Sequence, residues 1–144
     1  MSRTRRFFGL VSLLVVCASV EAYGQSLTIE QVMSAPFPSD LTAAPSGGKF
    51  AWAQDDRGRR NLWVAEAPAY QGRQVTRYAE DDGQELSNLQ FTPDGMNLVY
   101  VRGGPPNRAS EIPNPTSDPE GAEQAIWIVS LAGGAPRKLA DGSR

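Results

Sequence analysis

Beyond residue 25 the apolar positions fall in short runs separated by turn-forming residues. Phe50-Ala51-Trp52-Ala53, Leu62-Trp63-Val64-Ala65, Leu98-Val99-Tyr100-Val101 and Ile126-Trp127-Ile128-Val129 are the clearest. Runs rich in β-branched and aromatic side chains, bounded by Gly, Pro, Asn and Asp, predict strands. Strands are expected over residues 40–44, 50–54, 61–66 and 73–76, and again over 87–92, 97–102, 125–130 and 137–140. Arg57-Gly58 and Asp94-Gly95 fall between strands, where a positive φ is often required. Ahead of the first strand, residues 27–33 predict one or two helical turns. Thr28 followed three positions later by Gln31 is a capping-box pair, and Ser34-Ala35-Pro36 ends the element.

The pattern repeats. Pro45-Ser46-Gly47-Gly48-Lys49-Phe50-Ala51-Trp52-Ala53 aligns with Pro93-Asp94-Gly95-Met96-Asn97-Leu98-Val99-Tyr100-Val101 at an offset of 48 positions. Asn61-Leu62-Trp63-Val64-Ala65 aligns with Ala125-Ile126-Trp127-Ile128-Val129 at an offset of 64, so the second copy carries 16 extra residues between Gly103 and Glu123. A period of about 40–50 residues built from short strands is the mark of propeller blades, and four antiparallel strands make one blade. The expected fold is all-β: a partial β-propeller of about two four-stranded antiparallel blades, preceded by a signal peptide and a short helical lead-in. The boundaries drawn are 1–24 for the signal peptide, 25–40 for the lead-in and 41–144 for the two blades. Two blades cannot cover both faces of each sheet, and propellers use at least four. The chain is therefore expected to be the amino-terminal piece of a longer protein.

Composition narrows the chemistry. The 144 residues include one cysteine, Cys17, and no histidine. That excludes an internal disulfide framework, a thiolate metal cluster, a Ser-His-Asp or Cys-His nucleophile and a His-ligated zinc site within this chain. Arg3, Arg5 and Arg6, the apolar run over residues 7–16 and the small residues Ala18, Ser19, Ala22 and Gly24 form a secretory leader. Cleavage after Gly24, leaving Gln25 first, is preferred over cleavage after Ala22. The apolar run is too short for a membrane span, which needs about 20 residues. Val16 stands where a lipidated cysteine would want a small residue, so Cys17 is read as part of a discarded leader. Removing residues 1–24 takes three Arg and one Glu from 14 basic and 16 acidic residues, leaving 11 and 15, a net charge of −4. That sign disfavours nucleic acid and anionic membranes as partners.

Several stretches resemble the amino-terminal propeller of secreted bacterial serine peptidases of the prolyl oligopeptidase family, the dipeptidyl-peptidase-like and acylaminoacyl-peptidase-like enzymes. They are Leu27-Thr28-Ile29-Glu30-Gln31-Val32, Pro36-Phe37-Pro38-Ser39-Asp40-Leu41, Asn61-Leu62-Trp63-Val64-Ala65, Asp81-Asp82-Gly83-Gln84-Glu85-Leu86, Phe91-Thr92-Pro93-Asp94-Gly95 and the run from Leu131 to Leu139. The resemblance implies a secreted or periplasmic, non-catalytic propeller that filters or positions peptides for a downstream α/β-hydrolase domain. The implied partners are that domain, the remaining blades and peptide substrates. It also implies that the catalytic Ser, Asp and His lie outside these residues; no Gly-x-Ser-x-Gly occurs here. No catalytic, cofactor-binding or metal-binding residue is assigned, and no cofactor is expected. The alternative is a TolB-like periplasmic propeller acting as a protein-interaction module, with a stand-alone sugar- or lactone-handling propeller a third reading.

Four other features offer site-like chemistry. Glu80-Asp81-Asp82 with Glu85 can offer Ca²⁺ carboxylate oxygens, but the spacing fits no calcium loop and Asp-Gly makes turns. Arg57, Arg59 and Arg60 can bind an anion, yet they read better as a solvated hairpin tip. Gly103-Gly104 and Gly133-Gly134 precede no helical pattern and read as linkers rather than phosphate cradles. Trp52, Trp63 and Trp127 can stack sugars or bases, but Trp63 and Trp127 are equivalent in the repeat, as Trp52 and Tyr100 are, which predicts repeated packing. The insertion, with Pro105, Pro106, Pro113, Pro115 and Pro119, predicts an extended surface loop; it either lines a rim of the propeller, where it shapes entry or contacts the peptidase domain, or is a tolerated insertion without a role.

Overall fold

A computed structural model describes residues 26–119 and 123–142; the leader assigned to residues 1–24, Cys17 included, lies outside the described residues. The described chain forms one short helix, α1 (Ile29–Met33), and eight strands: β1 (Phe37–Ala43), β2 (Lys49–Asp56), β3 (Arg59–Glu66), β4 (Arg73–Gln74), β5 (Leu86–Phe91), β6 (Asn97–Arg102), β7 (Ala125–Ser130) and β8 (Arg137–Asp141). They make two four-stranded sheets in the order β1-β2-β3-β4 and β5-β6-β7-β8, with every neighbouring pair antiparallel. In α1 the Thr28 hydroxyl accepts from the Gln31 amide, and the Gln31 side chain accepts from the Thr28 amide at 2.9 Å, closing the capping box.

Two strands differ from expectation. β1 begins at Phe37, inside the segment drawn as lead-in. β4 stops at Gln74, short of residue 76, because the buried Thr76 hydroxyl replaces a backbone partner. It accepts from the Leu62 amide at 2.9 Å and donates to Asn61 Oδ1 at 2.9 Å.

The 48-position offset reaches the backbone itself. In each sheet the first strand carries a bulge at the same place, between Ser39 and Thr42 and between Ser87 and Gln90. Asp40 (φ 52°) and Asn88 (φ 54°) occupy the left-handed region there, which Asp and Asn tolerate better than other side chains. The turn that follows each of these strands places Gly47 and Gly95 at φ 81° and 65°.

The sheets are stacked front to back. Call the front of a sheet the face bearing its cross-strand aromatic pair, Trp52 opposite Trp63 or Tyr100 opposite Trp127. The core lies between the back of the first sheet (Ala51, Ala53, Leu62, Val64) and the front of the second (Leu89, Leu98, Tyr100, Val129), with Trp127 packed against it.

Candidate functional site

The arginines at the β2–β3 hairpin are held locally. Arg59 pairs with Asp56 and Arg60 with Asp55, each at 3.1 Å, while the Gly58 amide donates to Asp55 at 2.7 Å. Arg57 takes φ 57° at the tip. The acidic stretch is divided: Asp81 packs against Gly58, and Asp82 is bound by the Arg102 guanidinium and by the Gln84 amide at 2.9 Å. Among the described residues no three carboxylate or thiol groups gather as a metal site. Gly103 donates its amide to the Glu85 carbonyl at 2.9 Å, and Gly133 and Gly134 form the turn after β7; neither pair opens a helix.

The insertion is more ordered than a plain extended loop. Asn107 Oδ1 accepts from the amides of Ala109 (2.8 Å) and Glu111 (3.0 Å). Asn114 accepts from the Asp118 amide and donates to its carbonyl, both at 2.9 Å. These side chains stand in for backbone partners and close two tight turns. Pro113 and Pro115 lay the loop against Gly104 and Gly83, where a Cβ would come within 3.0 and 2.6 Å of the proline rings.

Under this loop is a polar cleft of about 170 Å³, bordered by Asp82, Gln84, Arg102, Asn114, Thr116 and Glu123. Of its lining residues, Arg102 also reaches the aromatic side chains of the seam. Arg102 lies 4.9 Å above the Tyr78 ring, a cation–π arrangement, and the Tyr78 and Tyr100 hydroxyls are 2.7 Å apart. Burial pushes the Tyr78 phenol up, and burial followed by the hydrogen bond with Tyr78 pushes Tyr100 up further. Gln84 Oε1 is buried at the cleft without a partner. Asp82 and Arg102 pair with each other there, and the cleft can hold a small polar group. Sequence reasoning singled out Asp82 and the insertion separately; the part played by Arg102 and Tyr78 was missed, because nothing in their spacing links them.

A second surface is larger. The front of the first sheet carries Phe50, Trp52 and Trp63 half-buried, with Trp52 and Trp63 stacked at 6.3 Å and Phe50 stacked on Tyr70 at 5.7 Å. Stacked pairs of this kind add about 0.5–1.5 kcal/mol beyond area burial. Beside them runs a groove of about 580 Å³ lined by Pro36, Pro38, Leu41, Phe50, Trp52 and Gln54. Trp63 and Trp127 hold equivalent register positions, as the repeat predicts, but only Trp127 lies against a covering sheet. Leu41 is 73% exposed and its equivalent Leu89 only 6%. On the back faces the order reverses: Leu62 is fully buried and its equivalent Ile126 is 39% exposed. Neither the models of known protein families nor the curated proteins contain a match to this chain. Among the described residues no helix is long and apolar enough to cross a membrane.

Proposed function

We propose that the two sheets are the opening blades of a β-propeller belonging to a secreted serine peptidase of the prolyl oligopeptidase kind. In this reading the propeller is non-catalytic: it filters or positions peptides for an α/β-hydrolase domain that carries the Ser, Asp and His. The observation that supports it is the front-to-back stacking, which leaves one apolar front and one apolar back open. A ring of further blades would close both faces, since each blade presents its front to one neighbour and its back to the other. The peptidase assignment itself rests on the resemblance of the segments quoted above. The insertion and the polar cleft beneath it are assigned to the rim where peptides pass, because a polar cleft can bind a substrate backbone.

A fluorophosphonate probe for serine hydrolases, applied to the secreted or periplasmic fraction of the native host, tests this. The expected result is a labelled band that yields peptides of this chain by mass spectrometry. A band carrying this chain that resists labelling, with no Gly-x-Ser-x-Gly in its sequence, overturns the peptidase reading and favours the TolB-like alternative.

A further inference from the structure

Where the two sheets meet, a groove of about 730 Å³ runs between the segment that follows β3 and the β7–β8 turn. Small-molecule sites occupy roughly 300–1,000 Å³. Both walls belong to this chain, and Val75, which lines the groove, is part of the core between the sheets. Sheets stacked on either open face would lie away from it, so it is not a surface that neighbouring blades would cover. Its charge is of one sign: Arg73 and Arg77 line it, and among the described residues no Asp or Glu does. Arg73 pairs with the exposed Glu66 at 3.3 Å and has further donors to offer. Arg77 makes no ion pair among the described residues.

The backbone on either side of Arg77 is nonetheless fixed. The Thr76 hydroxyl donates to Asn61 Oδ1 at 2.9 Å, and the Tyr78 amide donates to the same oxygen at 2.8 Å. The residue is thus anchored while its guanidinium stays uncommitted, and a guanidinium presents a planar fork of donors that matches a carboxylate or a phosphate. On the facing wall the amides of Gly134 and Ala135 have no partner among the described residues. Gly133 and Gly134 stand at φ 110° and 107°, with open space where a Cβ would sit. This glycine pair opens no helix, so it contributes unobstructed backbone rather than a helix dipole. We propose that the groove binds the oxyanion group, carboxylate or phosphate, of a small molecule, with Arg77 as its principal partner and Arg73 and the amides of the β7–β8 turn beside it. Nothing in this site depends on the peptidase reading.

Isothermal titration of the full chain at constant ionic strength, with inorganic phosphate in one series and citrate in another, tests the site. Saturable binding is expected in at least one series: phosphate alone identifies a phosphate ligand, citrate alone a carboxylate ligand, and both together the shared oxyanion chemistry. Arg77→Gln should weaken binding by about tenfold or more, as loss of a charge-assisted hydrogen bond does. Arg108→Gln removes the same charge from the exposed insertion and should leave binding unchanged. No saturable binding in either series, or equal weakening by the two variants, overturns the proposal. If Arg77→Gln loses its far-ultraviolet sheet signal, Ala135→Glu decides instead. Ala135 is exposed on the groove wall, and a carboxylate placed there should abolish binding while the fold is kept; binding that persists undiminished overturns the proposal.

Discussion

Tyr100 shows how one side chain ties the two sheets together. Its ring is fully buried in the seam, and its hydroxyl meets that of Tyr78, which belongs to the segment joining the sheets. That segment is pinned further by Asn61, whose amide group donates to the Tyr78 carbonyl at 2.9 Å and accepts from the Tyr78 amide at 2.8 Å. Both phenols hold their protons more tightly in the folded chain than at the ordinary value of 10.0, chiefly through burial. A folded-state pKa above the unfolded value contributes stability that is complete below the unfolded pKa and is lost as pH rises beyond it. Unfolding free energy measured in urea should therefore fall as pH is raised above about 10. Tyr100→Phe should flatten that fall and cost about 1 kcal/mol at neutral pH through the lost hydrogen bond. The equivalence of Tyr100 with Trp52 was legible in the repeat; its meeting with Tyr78 was not, since a contact between a strand and an irregular segment leaves no periodic mark.

At the level of elements, the strand pattern was read nearly whole because the inner strands β2, β3, β6 and β7 combine an apolar run with turn-forming residues near their ends. What escaped was where side chains substitute for the ladder, as Thr76 does at the end of β4. The bulges escaped too, although Asp40 and Asn88 stand 48 positions apart and are both suited to positive φ. They give the first strand of each sheet the same bend. Asn88→Gly should leave stability within about 0.5 kcal/mol of the parent, whereas Asn88→Val should cost about 1–2 kcal/mol, since a β-branched residue is strained in the left-handed region. Denaturant midpoints for the two variants check this. Equal losses from both would show that the Asn88 side chain matters rather than its backbone. The insertion was legible as a surface loop from its prolines; its two closed turns depend on Asn107 and Asn114 reaching amides two to four residues away, which composition does not reveal.

For the whole molecule, the sequence carries the two faces of each sheet but not the order in which they stack. Alternation says that Leu41 and Leu89 are equivalent; only the packing says that one is bare and the other covered. Leu89→Ala should cost about 2–4 kcal/mol, the range for emptying a buried leucine site, and Leu41→Ala less than about 0.5 kcal/mol. The measurement is chemical denaturation of the parent and both variants. Similar losses at both positions would show that the first sheet's front is covered after all. The stacking has one more consequence, which bears on ancestry. A pair related by a two-fold axis is complete at two members and gains nothing from a third. A unit that shows its neighbours two different sides can instead be lengthened by tandem copying of its gene, because each new member brings the surface that its predecessor lacked.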